Sequence, residues 1–233
     1  MKESLSLVIP LYNEQKNISL VINPLIEALN SSQINYELIL VNNGSLDSTP
    51  QLLNGLAKEH SNIKIVNIIK NQGYGWAIRS GLQQAEGSLI GYMCGDGQVK
   101  PEDSIKVFKE VVSKKVGLVK VSRVLRRDGI KRKIISKLYN ALMQIMFDIK
   151  IQDVNGTPKI FRKELLDTFK LKSRDWFIDA EIIIKSKILK LKILDVPIEF
   201  LARKNGKSNV HILAIFEFLK NICIYKFGSG INL

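Results

Sequence analysis

The chain has 233 residues, 45% of them hydrophobic and 24% charged, an ordinary globular composition that excludes collagen-like, low-complexity and wholly disordered chains. Its length is ample for one α/β domain with its own core. It carries 35 Lys and Arg against 22 Asp and Glu, a net charge of +13, with two cysteines (Cys94, Cys223) and two histidines, which excludes a disulfide framework and disfavours a structural zinc site.

In chain order, Leu5 to Ile9 reads as a buried strand and Gln15 to Leu29 as an amphipathic helix. Glu37 to Val41 is a second strand, and Asp47-Ser48-Thr49-Pro50 starts a helix with a polar cap and a proline just inside it. Ile63 to Ile69 reads as a strand, Trp76 to Gln84 as a helix and Leu89 to Met93 as a strand. Pro101-Glu102-Asp103 opens a further helix, and Val116 to Val121 follows as a strand. This rhythm predicts an α/β fold with a mostly parallel sheet covered by helices on both faces. The second half is less regular: an apolar helix Ile134 to Phe147, a loop Asp153 to Pro158, a helix Ile178 to Leu189, a strand Lys192 to Val196 ended by Pro197, and a closing amphipathic helix Val210 to Phe227. No repeat or Pro/Gly/Ser-rich linker interrupts the chain, so a single domain over 1–233 is expected. Its start lacks the long apolar region of a secretory signal, and no apolar run reaches the ~20 residues that span a bilayer.

Charge is unevenly placed. Residues 1–98 hold six basic and eight acidic residues, net −2, so the remainder is net +15. Lys114 to Lys137 alone contains ten basic residues and one acid, Asp128. Such a field attracts polyanions such as nucleotide phosphates or anionic headgroups. No zinc finger, aromatic RNA-binding strand or helix-turn-helix accompanies it, so nucleic acid is not an expected partner.

Ligands of open parallel sheets bind beyond the carboxyl ends of the strands. The loops there contain Pro10-Leu11-Tyr12-Asn13-Glu14, Asn42-Asn43-Gly44-Ser45 and Cys94-Gly95-Asp96-Gly97-Gln98. Asp96 follows an apolar strand and sits among glycines, where a carboxylate is suited to Mg2+ or Mn2+ if a diphosphate completes the shell; Gln98 can add an amide oxygen. Each loop alone also reads as a good turn.

Taken in order, these segments resemble the family 2 glycosyltransferases of the GT-A fold, in particular the polyprenyl-phosphate sugar synthases. Val8 to Glu14 looks like the family's V-I-P-x-Y-N-E. Val41 to Thr49 looks like V-D-D-G-S-x-D-x-T, and Asn71 to Gly81 like N-x-G-K-G-x-A-x-R-x-G. Met93 to Glu102 is similar to the D-x-D region. Ser122-Arg123, Asp153 to Arg162 and Arg203 to Ser208 resemble its acceptor-side motifs. The resemblance implies a nucleotide-sugar-binding half over 1–121 and an acceptor- and membrane-facing half over 122–233. It implies donor binding by Pro10, Tyr12, Glu14, Asn42, Asn43, Gly44, Asn71, Gly73, Gly75, Arg79 and Gly95. Asp96 and Asp153 would be catalytic, Asp96 and Gln98 would hold Mg2+ or Mn2+, and Arg123, Arg203, Lys207 and Ser208 would face phosphates.

The implied activity is inverting transfer of a sugar from a UDP- or GDP-sugar to polyprenyl phosphate or a related lipid-linked acceptor. The alternatives are a sugar-hydroxyl acceptor in cell-envelope polysaccharide synthesis, for which Asp153, placed to orient or deprotonate an acceptor, would matter more, and a weakened nucleotide-binding module. The implied place is cytoplasmic, peripheral at the inner face of an anionic membrane, with homo-oligomer formation left open. Two departures stand out: Cys94 replaces the first D-x-D aspartate, and Asn42-Asn43 replaces Asp-Asp. A carboxylate restored at position 94 is expected to strengthen metal use.

Overall fold

A computed structural model describes residues 3–127, 129–205 and 212–227. Five strands alternate with four helices in the first half: β1 (Ser4–Leu11), α1 (Ile18–Ser31), β2 (Asn35–Asn43), α2 (Thr49–Glu59), β3 (Ile63–Ile68), α3 (Tyr74–Leu82), β4 (Leu89–Tyr92), α4 (Pro101–Lys114) and β5 (Leu118–Arg126). The chain continues through α5 (Ile130–Phe147), β6 (Lys159–Arg162), α6 (Leu165–Phe169), α7 (Ile178–Ile188), β7 (Ile193–Phe200) and α8 (Ile212–Phe227).

The strands form one sheet in the order β3-β2-β1-β4-β6-β5-β7. β6 is antiparallel to both neighbours, while the other pairings are parallel. Both faces are buried, as parallel sheets require. Leu5, Leu7, Ile9 and Leu11 of β1 face α1 and α4, and the alternate residue Val8 joins Ile39 and Val41 beneath α3 and α7.

The mostly parallel α/β architecture read from the sequence is the one observed. Two elements escaped that reading. β6 is four residues long, and its first residue, Lys159, is a fully buried charge that breaks the apolar signature of a central strand. α6 is a five-residue helix, too short to show a period. A third difference concerns Pro197, expected to end the last strand. It lies within β7 opposite Ser122, and β7 is an edge strand, where a missing N–H costs no ladder bond.

Candidate active site

The loops after β1 and β2 are stitched together through short polar side chains. Asn13 N–H donates to Ser45 Oγ (3.0 Å), and Leu46 N–H returns to Asn13 Oδ1 (2.8 Å). Glu14 N–H donates to Thr49 Oγ1 (3.0 Å) and Gln15 N–H to Asp47 Oδ2 (3.2 Å). The half-buried side chains of Pro10 and Tyr12 flank this seam.

Asn42 and Asn43 are buried, and their amides serve the neighbouring loops. Asn42 donates to Asn67 Oδ1 (3.1 Å) and accepts from Ser45 N–H (3.0 Å). Asn43 donates to Asn71 Oδ1 (3.2 Å) and the Gly73 carbonyl (3.1 Å) and accepts from Gln72 N–H (3.3 Å). An amide does both, where an ionised aspartate only accepts. Both side chains, expected to bind the donor, tie together the loops that follow β2 and β3.

Asn71, Gly73, Gly75 and Arg79 belong to the same support. Asn71 Oδ1 also accepts from Gly73 N–H (2.9 Å), and Arg79 donates to the Lys172 carbonyl (2.9 Å). A Cβ on Gly73 would lie 2.3 Å from the Arg174 carbonyl oxygen, and one on Gly75 2.6 Å from that of Asp175. These glycines admit the close approach of the backbone of residues 173–175. Gly44 similarly packs on Lys70 and Asn71, and Gly95 on Leu11. What this packing presents to the site is Tyr74, stacked on Trp176 with ring centroids 4.3 Å apart.

Asp96 stands beyond the C-terminal end of β4. Its Oδ2 accepts from Arg203 (2.8 Å) and its Oδ1 from Gln98 N–H (3.2 Å). The other arm of the Arg203 guanidinium lies 3.7 Å from Glu14 Oε1, and Glu14 Oε2 accepts from Asn17 (2.5 Å). Burial raises the Glu14 pKa above the ordinary carboxylate value. Three distant segments, following β1, β4 and β7, thus meet on one guanidinium. Gln98 adjoins Asp96, but its amide nitrogen donates to the Leu201 carbonyl (2.8 Å), and Leu201 N–H returns to the Gln98 carbonyl (2.9 Å). Gln98 therefore clamps the segment after β7 onto the Asp96 loop. Lys207 and Ser208 lie outside the described residues.

Cys94 has different hydrogen-bond partners from Asp96. Its Sγ lies 3.3 Å from Tyr74 Oη and accepts from Thr157 Oγ1 at 3.6 Å. Burial, with the charge of Asp96 behind it, pushes the thiol up to about 11, so it is a neutral group at physiological pH.

Asp153 was expected to be catalytic. Its carboxylate instead holds Arg123 in a two-pronged pair, Nε to Oδ2 and Nη2 to Oδ1, both at 2.6 Å, with Arg123 N–H adding 3.0 Å to Oδ2. Burial alone would raise its pKa, but the hydrogen bonds and charge of Arg123 overcome that and hold it well below the usual carboxylate range. Both oxygens are engaged by Arg123, an arrangement suited to orienting that guanidinium. Arg123, Ser122, Lys133, Ser136, Lys137 and Asn140 line a cavity of about 140 Å³ between β5 and α5. With Arg123 balanced by Asp153, the two lysines leave this cavity cationic.

Sequence reasoning missed the buried charges beneath the 153–157 loop. Lys120 donates to the Asp153 carbonyl (2.6 Å) and pairs with Asp195. Lys159 donates to the Gly156 carbonyl (2.9 Å) and pairs with Asp179, which also accepts from Tyr92 Oη (2.7 Å). Burial pushes the Lys159 ammonium down against the pull of Asp179. A lysine within an apolar K-I-F pattern was the available signal. The loop they hold runs from Asp153 at the cavity to Thr157 on Cys94, two residues from Asp96, and so joins the two sites.

The family model for glycosyl transferase family 2 matches residues 6–169. The chain belongs to this family. It is 30% identical over 227 residues to dodecaprenyl-phosphate galacturonate synthase of Rhizobium johnstonii, covering 94% of this chain and 65% of that protein. It is 28% identical over 211 residues to dolichyl-phosphate beta-glucosyltransferase ALG5A of Trichomonas vaginalis, covering 84% and 65%. The chain therefore spans about two thirds of the length of these curated relatives, slightly under that fraction. Among solved structures, glucosyl-3-phosphoglycerate synthase of Mycobacterium tuberculosis with Mn2+, UDP-glucose and phosphoglyceric acid superposes with a TM-score of 0.72 at 19% identity, covering 95% of this chain and 80% of that one. Staphylococcus aureus TarS 1-349 with UDP-GlcNAc gives 0.66 at 17% identity, covering 95% and 66%. This likeness supports the GT-A-type fold of the family 2 member described here.

Proposed function

We propose that this family 2 protein is an inverting glycosyltransferase that moves a sugar from a nucleotide-sugar, UDP-linked in the first instance, to a polyprenyl phosphate. The observation that carries the reading is the five-residue loop 153–157, which ties an anion-sized cationic cavity at Arg123, Lys133 and Lys137 to the Asp96 end of β4. A lipid phosphate in the cavity would then face a sugar diphosphate at Asp96. The relatives that act on dodecaprenyl and dolichyl phosphates support the acceptor class, and the UDP-bound neighbours support the donor.

In this mechanism the seam between residues 12–17 and 44–49 receives the nucleoside, with Tyr12 beside it. Among the described residues no group of three His, Cys, Asp or Glu side chains forms a metal site, so Asp96 would hold a divalent cation together with diphosphate oxygens, to which its hard carboxylate is suited. Such a cation supplies charge neutralisation for the leaving diphosphate. Arg123, held flat by Asp153, and the cavity lysines orient the acceptor phosphate. That phosphate is already ionised near pH 7 and needs no strong base, which agrees with the engaged carboxylate of Asp153. Attack in line with the departing diphosphate inverts the anomeric centre.

The same reading places the protein on a membrane surface. Ile130, Ile134 and Leu138 form an exposed stripe on α5, with Ile145 two turns on, and Val124 and Leu125 are exposed nearby. On α8, Leu219 and Cys223 are exposed at helical spacing; Ile212 and Phe216, expected in that stripe, have no described side chains. Among the described residues no helix is long and apolar enough to cross a membrane. The basic residues around the α5 stripe favour an anionic interface, with apolar burial added.

The test is incubation with UDP- or GDP-sugars labelled in the hexose and vesicles containing polyprenyl phosphate. The expected product is a lipid-phosphate sugar of inverted anomeric configuration. Label found only on water-soluble sugar hydroxyls would replace this reading with the polysaccharide one, and donor binding without transfer would favour the binding module.

A further inference from the structure

Two carboxylates at the donor end share one internal cation. Arg203 lies 2.8 Å from Asp96 Oδ2 and 3.7 Å from Glu14 Oε1, and all three side chains are largely shielded, at 11–19% exposure. The segment bearing Arg203 is fastened at both of its ends. Leu201 exchanges two hydrogen bonds with Gln98, and Asn205 donates to the Lys16 carbonyl (3.3 Å) while its own carbonyl accepts from Asn17 (3.5 Å). Residues 201–205 therefore lie as a strap from the Asp96 loop to the loop after β1. A guanidinium and a divalent cation cannot both occupy the same face of Asp96 Oδ2.

We infer that Arg203 is a built-in occupant of the cation position between Glu14 and Asp96, and that a divalent cation arriving with a nucleoside diphosphate displaces it. The freed guanidinium then pairs with the diphosphate, and the strap shifts with it. This rests on the donor-site reading above and adds a coupling to it. Cation alone must break the Arg203–Asp96 pair, whereas cation with diphosphate offers Arg203 a replacement partner. Metal and nucleotide should then bind with positive, reciprocal cooperativity. The single carboxylate left by Cys94 makes the competition matter, because Cys94 faces Tyr74 and Thr157 and supplies no second ligand.

The experiment is a Mn2+ titration followed by electron paramagnetic resonance of the free ion, with and without UDP, on the wild type, Arg203→Gln, Asp96→Asn and the double variant, each checked for a cooperative melt. Wild type should bind Mn2+ weakly alone and more tightly with UDP. Arg203→Gln should bind Mn2+ alone about tenfold more tightly, the effect of removing a charge-assisted competitor, and UDP should add less than in the wild type. Asp96→Asn should abolish that gain in the double variant. Unchanged or weaker Mn2+ binding by Arg203→Gln without UDP would overturn the inference, as would a gain that survives Asp96→Asn. UDP binding is scored separately by thermal shift in chelator. Failure of UDP to bind at all strikes the donor-site reading, whereas normal UDP binding without the Arg203→Gln gain strikes only the displacement.

Discussion

Arg123 and Asp153 meet through two parallel hydrogen bonds of 2.6 Å, on adjoining walls of a cationic cavity. This geometry fixes the plane of the guanidinium and engages both carboxylate oxygens. Asp153→Asn should therefore loosen Arg123 without removing a base. The expected result is a rise in KM for the lipid phosphate of about tenfold or more, with kcat retained to within a few-fold and no new acidic limb in the pH–rate profile. Loss confined to kcat, with an altered acidic limb, would restore Asp153 as a base.

Asp96→Ala should abolish transfer while leaving the fold intact. Losing one oriented electrostatic group at a leaving group costs ~10²–10³ in rate. Its side chain also anchors Arg203, so protection of residues 201–205 in hydrogen exchange should fall in the same variant. Turnover like that of the wild type would take Asp96 out of the mechanism.

Cys94→Asp should give a different outcome from the one the motif implies. The side chain at position 94 faces Tyr74 and Thr157, and its neighbour Asp96 is already negative. A second carboxylate there would be desolvated beside a like charge, a change that costs on the order of 2 kcal/mol or more. The variant should melt earlier than the wild type, and its Mn2+ titration should not sharpen. Tighter Mn2+ binding would show that position 94 turns toward the metal.

Alkaline pH reports on the same thiol. Its pKa is raised in the folded protein from 9.0 to about 11, so the neutral thiol is favoured by folding. The associated stability is fully present below pH 9 and is lost as pH rises through about 11. Chemical unfolding across that window should show the wild type losing stability relative to Cys94→Ser, which does not titrate. Near neutral pH, iodoacetamide should modify the exposed Cys223 well before Cys94.

On the membrane side, the protein should bind anionic vesicles at low salt, release them at high salt, and bind neutral vesicles poorly. Basic residues near an anionic surface are worth ~1 kcal/mol each before screening. Ile134→Glu with Leu138→Glu, at positions 53% and 67% exposed, should weaken co-sedimentation without shifting the melting temperature. Undiminished binding by that variant would assign the stripe to some other role.

Local pattern determined much of this protein. The alternation of apolar strands and amphipathic helices from Leu5 to Val121 set the parallel sheet, because each of those elements is written in consecutive residues. The same alternation placed the loops after β1, β2 and β4 at one end, and with them Glu14 and Asp96. Tertiary structure alone decided the partners of those residues. Asparagine reads as a ligand or as a loop tie equally well until Asn67 and Asn71 are found opposite Asn42 and Asn43. Gly73 and Gly75 give no sign in the sequence of what approaches them; the structure puts the backbone of residues 173–175 where a Cβ would lie. β6 and the buried lysines were illegible for a related reason. Four residues that begin with a charge become a central strand only when Asp179 and the Gly156 carbonyl satisfy that charge, and Asp179 comes from α7, twenty residues further along the chain.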